Sequence, residues 1–217
     1  MNPAILNKNV QDFIAENINQ DIVKISLSKS PFPEVSPKEL ATQIDSKRRS
    51  QSKLPLWYNS EGIYYPGKLA IEQCSSQATA QYKSSLTAGE TLIDLTGGFG
   101  VDASLFALNG LKVTHCEINA ELSDIAKHNS EKISLQLSFI KGDGIAYLKS
   151  GDHRFDTIYI DPSRRIGSKK VFLLKDCEPD VVENSKLLRQ KASRIIIKTA
   201  PLLDLQSTIK EIGRAHV

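Results

Sequence analysis

Apolar positions recur with two periods along this chain. From Val10 to Lys29 the pattern is helical: Val10, Phe13, Ile14 and Ile18 share one face, and Ile22, Val23, Ile25 and Leu27 continue it past Asp21. Pro31, Pro33 and Pro37 then interrupt the chain. Ser36 stands before Pro37 with Glu39 close behind, which is an N-cap followed by proline at the first helical position, and it predicts a helix from Pro37 to about Ser52. Lys68 to Lys83 reads as a helix, either unbroken or broken at Cys74-Ser75-Ser76.

From Thr91 onward short apolar runs alternate with helical patterns. Strands are predicted at Thr91–Leu95, Lys112–Cys116, Leu137–Ile140, Asp156–Ile160 and Arg194–Lys198. The helices between them are predicted at Asp102–Asn109, Ala120–Ser130, Asp143–Lys149 and Pro179–Arg189. That order implies right-handed βαβ units and a parallel sheet, an α/β fold behind a helical N-terminal segment. The expected division is a small helical subdomain over 1–66 and an α/β core over 67–210.

Composition narrows the class. With 40% hydrophobic and 24% charged residues, the chain reads as an ordinary globular domain. A net charge of +3 is too mild to imply nucleic-acid binding by itself, so that reading needs local clusters. Cys74, Cys116 and Cys177 have no C-x-x-C spacing, which indicates neither zinc nor a disulfide framework and suits a reducing cytoplasm. The N-terminus lacks a signal-peptide core, and no apolar run reaches membrane-spanning length.

The chemistry concentrates at strand ends, where open α/β sheets bind ligands. The first strand ends in Asp94 and the loop Thr96-Gly97-Gly98-Phe99-Gly100, with Asp102 opening the next helix. The second ends at Glu117, the third leads to Asp143 in a Gly-Asp-Gly, and the fourth ends in Asp161-Pro162-Ser163-Arg164-Arg165. Gly98-x-Gly100-x-x-Ala103 taken alone fits a dinucleotide fingerprint. A pyrophosphate, however, needs a helix N-terminus free of negative charge, and Asp94 and Asp102 flank that position. Carboxylates there suit a cationic or zwitterionic ligand, Glu117 suits a ribose diol and Asp143 an adenine amine. Together they describe S-adenosylmethionine. Asp94, Glu117 and Asp143 also have plain structural readings, as a turn former, a surface charge and a helix N-cap. Asp161 could orient an amine and accept its proton, or simply initiate a turn.

Two basic clusters could grip phosphates: Lys47, Arg48, Arg49 and Lys53 on the helix after Pro37, and Arg164, Arg165, Lys169 and Lys170 beyond the fourth strand. The first could equally be a solvated helix face. Trp57, Tyr58, Tyr64 and Tyr65 follow it, and could stack bases or form the core of a small domain. Ser75, Ser76 and Thr79 could close over a ligand on the glycine loop.

The segments KLPLW, EQCSSQATAQYK, DLTGGFGVD, CEIN, DPSRR and IKTAPLLD resemble the bacterial class I S-adenosylmethionine-dependent methyltransferases that carry a C-terminal THUMP-like domain. The resemblance runs from about Lys53 to Leu205. It implies a Rossmann-like core with strand order 3-2-1-4-5 and an RNA substrate. By motif matching, Asp94 to Gly100, Asp102 and Glu117, with Ile118 beside it, would bind the cofactor. Asp143 and Gly144 would face adenine, and Asp161 to Arg164 would line the acceptor site. Ser163 and Arg164 stand where base-amine methyltransferases typically have a proline and a stacking aromatic. Cys177 lies well beyond the motif and is not expected to act as a nucleophile. No metal is expected. The class I core normally continues with two further strands, and EIGRAHV at 211–217 coincides with the translation of a common sequencing adapter, so a non-native tail and a shortened core are expected. A nicotinamide-dependent oxidoreductase and an RNA-binding module without turnover remain the competing readings.

Overall fold

The computed structural model describes residues 1–163, 165–166, 169–170, 173–199, 209–210 and 212. A short 3-10 turn at Pro3–Leu6 is followed by helices α1 (Lys8–Glu16), α2 (Ile22–Leu27), α3 (Pro37–Lys53), α4 (Pro55–Asn59), α5 (Lys68–Gln73) and α6 (Gln77–Ser85). Strand β1 (Thr91–Asp94), helix α7 (Val101–Leu108), β2 (Lys112–Glu117), α8 (Ala120–Lys132), β3 (Ser138–Lys141), α9 (Gly144–Lys149) and β4 (Phe155–Ile160) come next. Two short strands, β5 (Arg165–Ile166) and β6 (Lys169–Lys170), pair antiparallel. A 3-10 turn at Leu174–Asp176, helix α10 (Ser185–Lys191) and β7 (Ala192–Ile197) complete the described elements before 198.

The main sheet has the order β3-β2-β1-β4-β7 with every pairing parallel. With β5 and β6 set aside, this is the predicted 3-2-1-4-5. The order reverses between β1 and β4, so their carboxyl ends open a crevice. Alternate residues face opposite layers. Leu92, Val113 and Tyr159 pack with Ala103 and Phe106 of α7, while Ile93, Cys116 and Ile158 pack with Ile145 and Leu148 of α9 and Leu188 of α10.

The N-terminal helices have no closed core of their own. Ile5, Ile14, Leu40, Ile44, Trp57 and Tyr65 form one apolar cluster with Phe99, Val101 and Leu105 of the core and Ile125 of α8. Trp57 and Tyr65 are each 1% exposed, so these aromatics are core, and Trp57 is not available to stack a base. Gln43 holds the aromatic stretch in place: its Nε2 donates to Tyr65 O at 2.7 Å and its Oε1 accepts from Tyr65 N at 2.9 Å.

Two predicted helices are cut short. The pattern from Val10 to Lys29 breaks between α1 and α2, where the Asp21 side chain accepts from Val23 N at 2.8 Å and starts a new helix. Such a side chain offers the backbone a partner that competes with continuing the first helix. The helix expected from Pro179 begins only at Ser185. Glu178 is held instead in a two-residue bridge to Ser163, and Asp180 accepts from Val182 N and Glu183 N. The helix from Pro37 forms as expected, with a full capping box between Ser36 and Glu39. The break at Cys74-Ser75-Ser76 is also present, between α5 and α6.

Candidate functional site

The crevice at the β1/β4 reversal opens into a cavity of about 960 Å³. Its floor is the glycine loop. Gly98 has φ +55° and Gly100 has φ +83°, a left-handed region that costs other residues free energy. Gly97 is required for a different reason. A Cβ there would lie 2.3 Å from His115 Nε2, because the buried imidazole fills the space beneath the loop. Gly97 N also donates to Cys116 O at 2.7 Å. Phe99, 3% exposed, tethers the loop to the N-terminal core, its ring 6.2 Å from that of Trp57.

Of the residues predicted to bind a cofactor, Thr96, Gly97, Gly98, Phe99, Asp102, Glu117, Ile118, Asp143 and Gly144 line this cavity. Glu117 is the best defined. Its Oε2 accepts from Gly98 N at 2.8 Å and its Oε1 from Asn119 N at 2.7 Å, which fixes the carboxylate plane at the cavity edge. Each oxygen keeps a second lone pair for a ligand hydroxyl. Ile118 beside it is 75% exposed, an apolar side chain presented to the cavity. Asp143 fills its structural role as the N-cap of α9, accepting from Ile145 N at 2.8 Å, while it also lines the cavity. At Gly144 a Cβ would come within 2.9 Å of Leu95 Cα, so close helix–strand packing requires that glycine.

Asp94 and Gly100 do not line the cavity. Asp94, 1% exposed, lies under the loop, and its Oδ1 accepts from Thr96 N at 2.9 Å. Burial, reinforced by nearby Asp102, holds its carboxyl well above the usual carboxylate range. Thr96 Oγ1 in turn accepts from Asp161 N at 2.7 Å, so one threonine joins the ends of β1 and β4.

Asp102 belongs to a buried network that the sequence did not reveal. Lys83 of α6 reaches Asp102 Oδ1 at 2.5 Å and donates to Ser75 Oγ and Tyr159 Oη, both at 2.7 Å. Ser75 and Tyr159 each donate to Asp102 Oδ2, at 2.8 and 3.1 Å. The lysine thus balances the charge of Asp102. Burial and the adjacent Asp102 push the Tyr159 phenol far up, so it stays a neutral donor. Ser75 touches the cavity, whereas Ser76 and Thr79 form the N-cap of α6 and are turned to each other.

The side of the cavity beyond β4 is formed by Asp161, Pro162 and Ser163, facing Glu178, Asp180 and Glu183. Lys198, just after β7, donates from Nζ to Asp161 Oδ2 at 2.6 Å. Burial raises the Asp161 carboxyl above its ordinary value, and Lys198 opposes that rise. Arg164 lies outside the described residues, and Arg165 and Lys169 belong to the β5–β6 ladder. Carboxylates dominate the cavity: Asp102, Glu117, Asp143, Asp161, Glu178, Asp180 and Glu183 face Lys149 and Lys198 among the described residues.

Three side chains of the basic cluster on α3 are committed to partners within the protein. Arg48 donates to Ile18 O and Gln20 O, each at 2.6 Å, closing the turn after α1. Arg49 pairs with Asp45 and Glu72, and Lys53 donates to Ile71 O and Glu72 O. These partners favour a structural use of Arg48 and Arg49 over phosphate contact. Lys83, His115, Tyr159 and Lys198 are the residues missed from sequence. Only a lysine and a histidine inside otherwise apolar runs could have pointed to two of them. Among the described residues, no group of three or more His, Cys, Asp or Glu is arranged to hold a metal. No described helix is long and apolar enough to cross a membrane.

The chain is similar to a solved structure from Porphyromonas gingivalis W83, a protein assigned only provisionally as a methyltransferase. The TM-score is 0.77 at 31% identity, over 93% of this chain and 51% of that one. This is a Rossmann-like methyltransferase fold. Among curated proteins, an uncharacterised RNA methyltransferase of Mycoplasma mobile is 27% identical over 190 residues, 80% of this chain and 48% of the relative. The ribosomal RNA small subunit methyltransferase J of Coxiella burnetii (strain Dugway 5J108-111) is 29% identical over 129 residues, 52% of this chain and 51% of the relative. The chain therefore spans about half the length of the relatives it matches. No family model matches it.

Proposed function

We propose that this chain carries the site of an S-adenosylmethionine-dependent methyltransferase acting on RNA, working in the cytoplasm and needing no metal. The observation that carries the reading is the carboxylate-rich cavity at the β1/β4 reversal, with Glu117 held by Gly98 N–H and Asn119 N–H at its edge. A pyrophosphate would have to sit at the N-terminus of α7, where Asp102 already stands in the first turn. A sulfonium cofactor with a ribose and an adenine suits the cavity as a whole instead, where Glu117, Asp143, Asp161, Glu178, Asp180 and Glu183 outnumber Lys149 and Lys198. The volume is of the size expected for a cofactor of that class.

In this reading Glu117 accepts the two ribose hydroxyls, Ile118 packs on the adenine face and Asp143 accepts from the adenine amine. The amide of Gly98 and Ser75 border the methionine end. The cofactor supplies an activated methyl group. The protein's contribution is to hold the acceptor in line with it, which is mainly a matter of positioning. Asp161, at the far end of the cavity, orients the acceptor. The RNA assignment is supported by the names of the Mycoplasma and Coxiella relatives. The segments resembling THUMP-bearing methyltransferases point the same way.

The test is calorimetric titration with S-adenosylhomocysteine and with NADH, followed by transfer of labelled methyl groups into fractionated RNA. Binding of the first ligand alone and label in RNA are expected. Binding of NADH alone would reverse the assignment in favour of an oxidoreductase, and cofactor binding with no label in any RNA fraction would overturn the RNA substrate.

A further inference from the structure

Asp161 and Lys198 occupy the carboxyl ends of adjacent strands, β4 and β7, and both line the cavity. Lys198 is anchored through its backbone, with N donating to Ile160 O at 2.9 Å, so its side chain leaves from a fixed point. Its Nζ takes Asp161 Oδ2 at 2.6 Å. The Asp161 backbone is fixed too, by Thr96 Oγ1. Asp161 Oδ1 has no hydrogen-bond partner among the described residues, while the pair is about one-third exposed, 30% for Asp161 and 33% for Lys198. One carboxylate oxygen is therefore locked and the other is offered to the cavity.

We propose, resting on the methyltransferase reading, that Lys198 is a positioning residue that aims Asp161 Oδ1 at the acceptor and so selects an acceptor carrying N–H, an exocyclic amine of a nucleobase. An ionised carboxylate has only acceptor sites, so it rewards a donor and penalises a carbonyl oxygen placed against it. In the transfer, the acceptor nitrogen bonds to the methyl carbon. The carbon–sulfur bond breaks with its electron pair kept by sulfur, and the nitrogen's proton passes to Asp161 Oδ1 and on to water. Asp161 must be ionised for both tasks. Burial and Asp102 of α7 work against ionisation, and Lys198 and Lys83 of α6 work for it, while Asp94 at the end of β1 and Tyr159 of β4 stand nearby and are themselves pushed towards their neutral forms. Glu178, Asp180 and Glu183 add negative charge across the cavity. Of the two lysines, Lys83 is already paired with Asp102, and Lys198 touches Asp161 directly.

The experiment is a carboxyl-carbon NMR titration of Asp161, assigned with D161N, in the wild type, K198M, K198Q and K198R. Removing a cation at contact distance should raise the Asp161 midpoint by about 1 to 3 units in K198M and K198Q, with K198R close to wild type. Affinity for S-adenosylhomocysteine, read by calorimetry, should stay within about twofold, since the cofactor grip lies at Glu117. Methyl transfer to RNA by K198M should lose rate at neutral pH and recover it as pH rises past the new midpoint. An unchanged Asp161 midpoint in both neutral variants, or a loss of rate that no pH restores, overturns the proposal. If the wild type bound no S-adenosylhomocysteine, the methyltransferase reading would fall on its own, while the carboxyl titration would still decide whether Lys198 controls Asp161.

Discussion

The imidazole of His115 lies directly beneath Gly97, so close that a single added carbon would meet its ring 2.3 Å from Nε2. The ring is fully buried, packs against Phe139 at 5.0 Å and places Nε2 3.3 Å from Gly98 O. The glycine loop therefore rests on a side chain from the next strand, and its shape is set from below as well as by its own backbone.

Gly97→Ala should destabilise the protein by about 1–3 kcal/mol, because interior overpacking forces the ring or the loop to move. Urea unfolding would measure it. Adding His115→Ala should recover part of that loss in the double variant, and strict additivity would mean that the ring is not what excludes the Cβ.

His115 also confers a pH dependence. Burial pushes its imidazole down to about 4 from an ordinary 6.5. A group whose folded value is depressed contributes stability that is present above 6.5 and lost as pH falls towards about 4. The loss should reach about 3 kcal/mol, taking about 1.4 kcal/mol per unit. His115→Asn should flatten the unfolding midpoint across that window, and an equally steep acid limb in the variant would refute the assignment to His115.

Lys83→Met should cost about 3–5 kcal/mol, since it strands the buried Asp102 carboxylate without its cation. Lys83→Met with Asp102→Asn should be more stable than Lys83→Met alone. Thermal unfolding of the three proteins tests this, and a double variant no better than the single would show that the pair is not coupled.

Phe99→Ala removes the ring that ties the loop to Trp57 and should cost about 3–5 kcal/mol, as buried phenylalanine truncations do. It should also weaken S-adenosylhomocysteine binding, because Gly98 and Glu117 depend on the loop's position. Unchanged affinity in folded protein would mean that the tether serves stability alone.

Glu117→Gln places an amide NH2 where one backbone N–H now donates and removes the charge that accepts the ligand hydroxyls. The expected loss of S-adenosylhomocysteine affinity is about 10- to 100-fold, from the about 1.5–3 kcal/mol typical of hydrogen bonds to a charged group. Calorimetry would read it, and a change under twofold would remove Glu117 from the binding site.

The sequence carried the fold well where local rules are strong. Alternation of short apolar runs with helical patterns gave all five strands of the main sheet and their parallel pairing, because strands joined by helices pair in parallel, while the 3-2-1-4-5 order was implied by the resemblance to class I methyltransferases. Ser36, Pro37 and Glu39 marked a helix start that forms through a capping box. Boundaries failed where side chains competed with helix continuation, at Asp21 and at Glu178 to Asp180. At the site, the strand-end rule brought Thr96, Glu117, Asp143 and Asp161 to one cavity.

What the sequence determined by itself is the order of elements and the set of polar residues at strand ends, since both follow from periodicities of two and 3.6 and from chain direction. What only the tertiary structure decided is how those residues are used. Asp94 turns under the loop to Thr96, Asp102 is balanced by Lys83, and Asp161 is held by Lys198. Gly97 answers to His115 rather than to a ligand. Apart from Thr96, two positions after Asp94, those partners lie 18 to 37 positions apart and on different elements. Charge pairing and steric exclusion at such separations depend on distances of a few ångström, which no local pattern in the chain encodes.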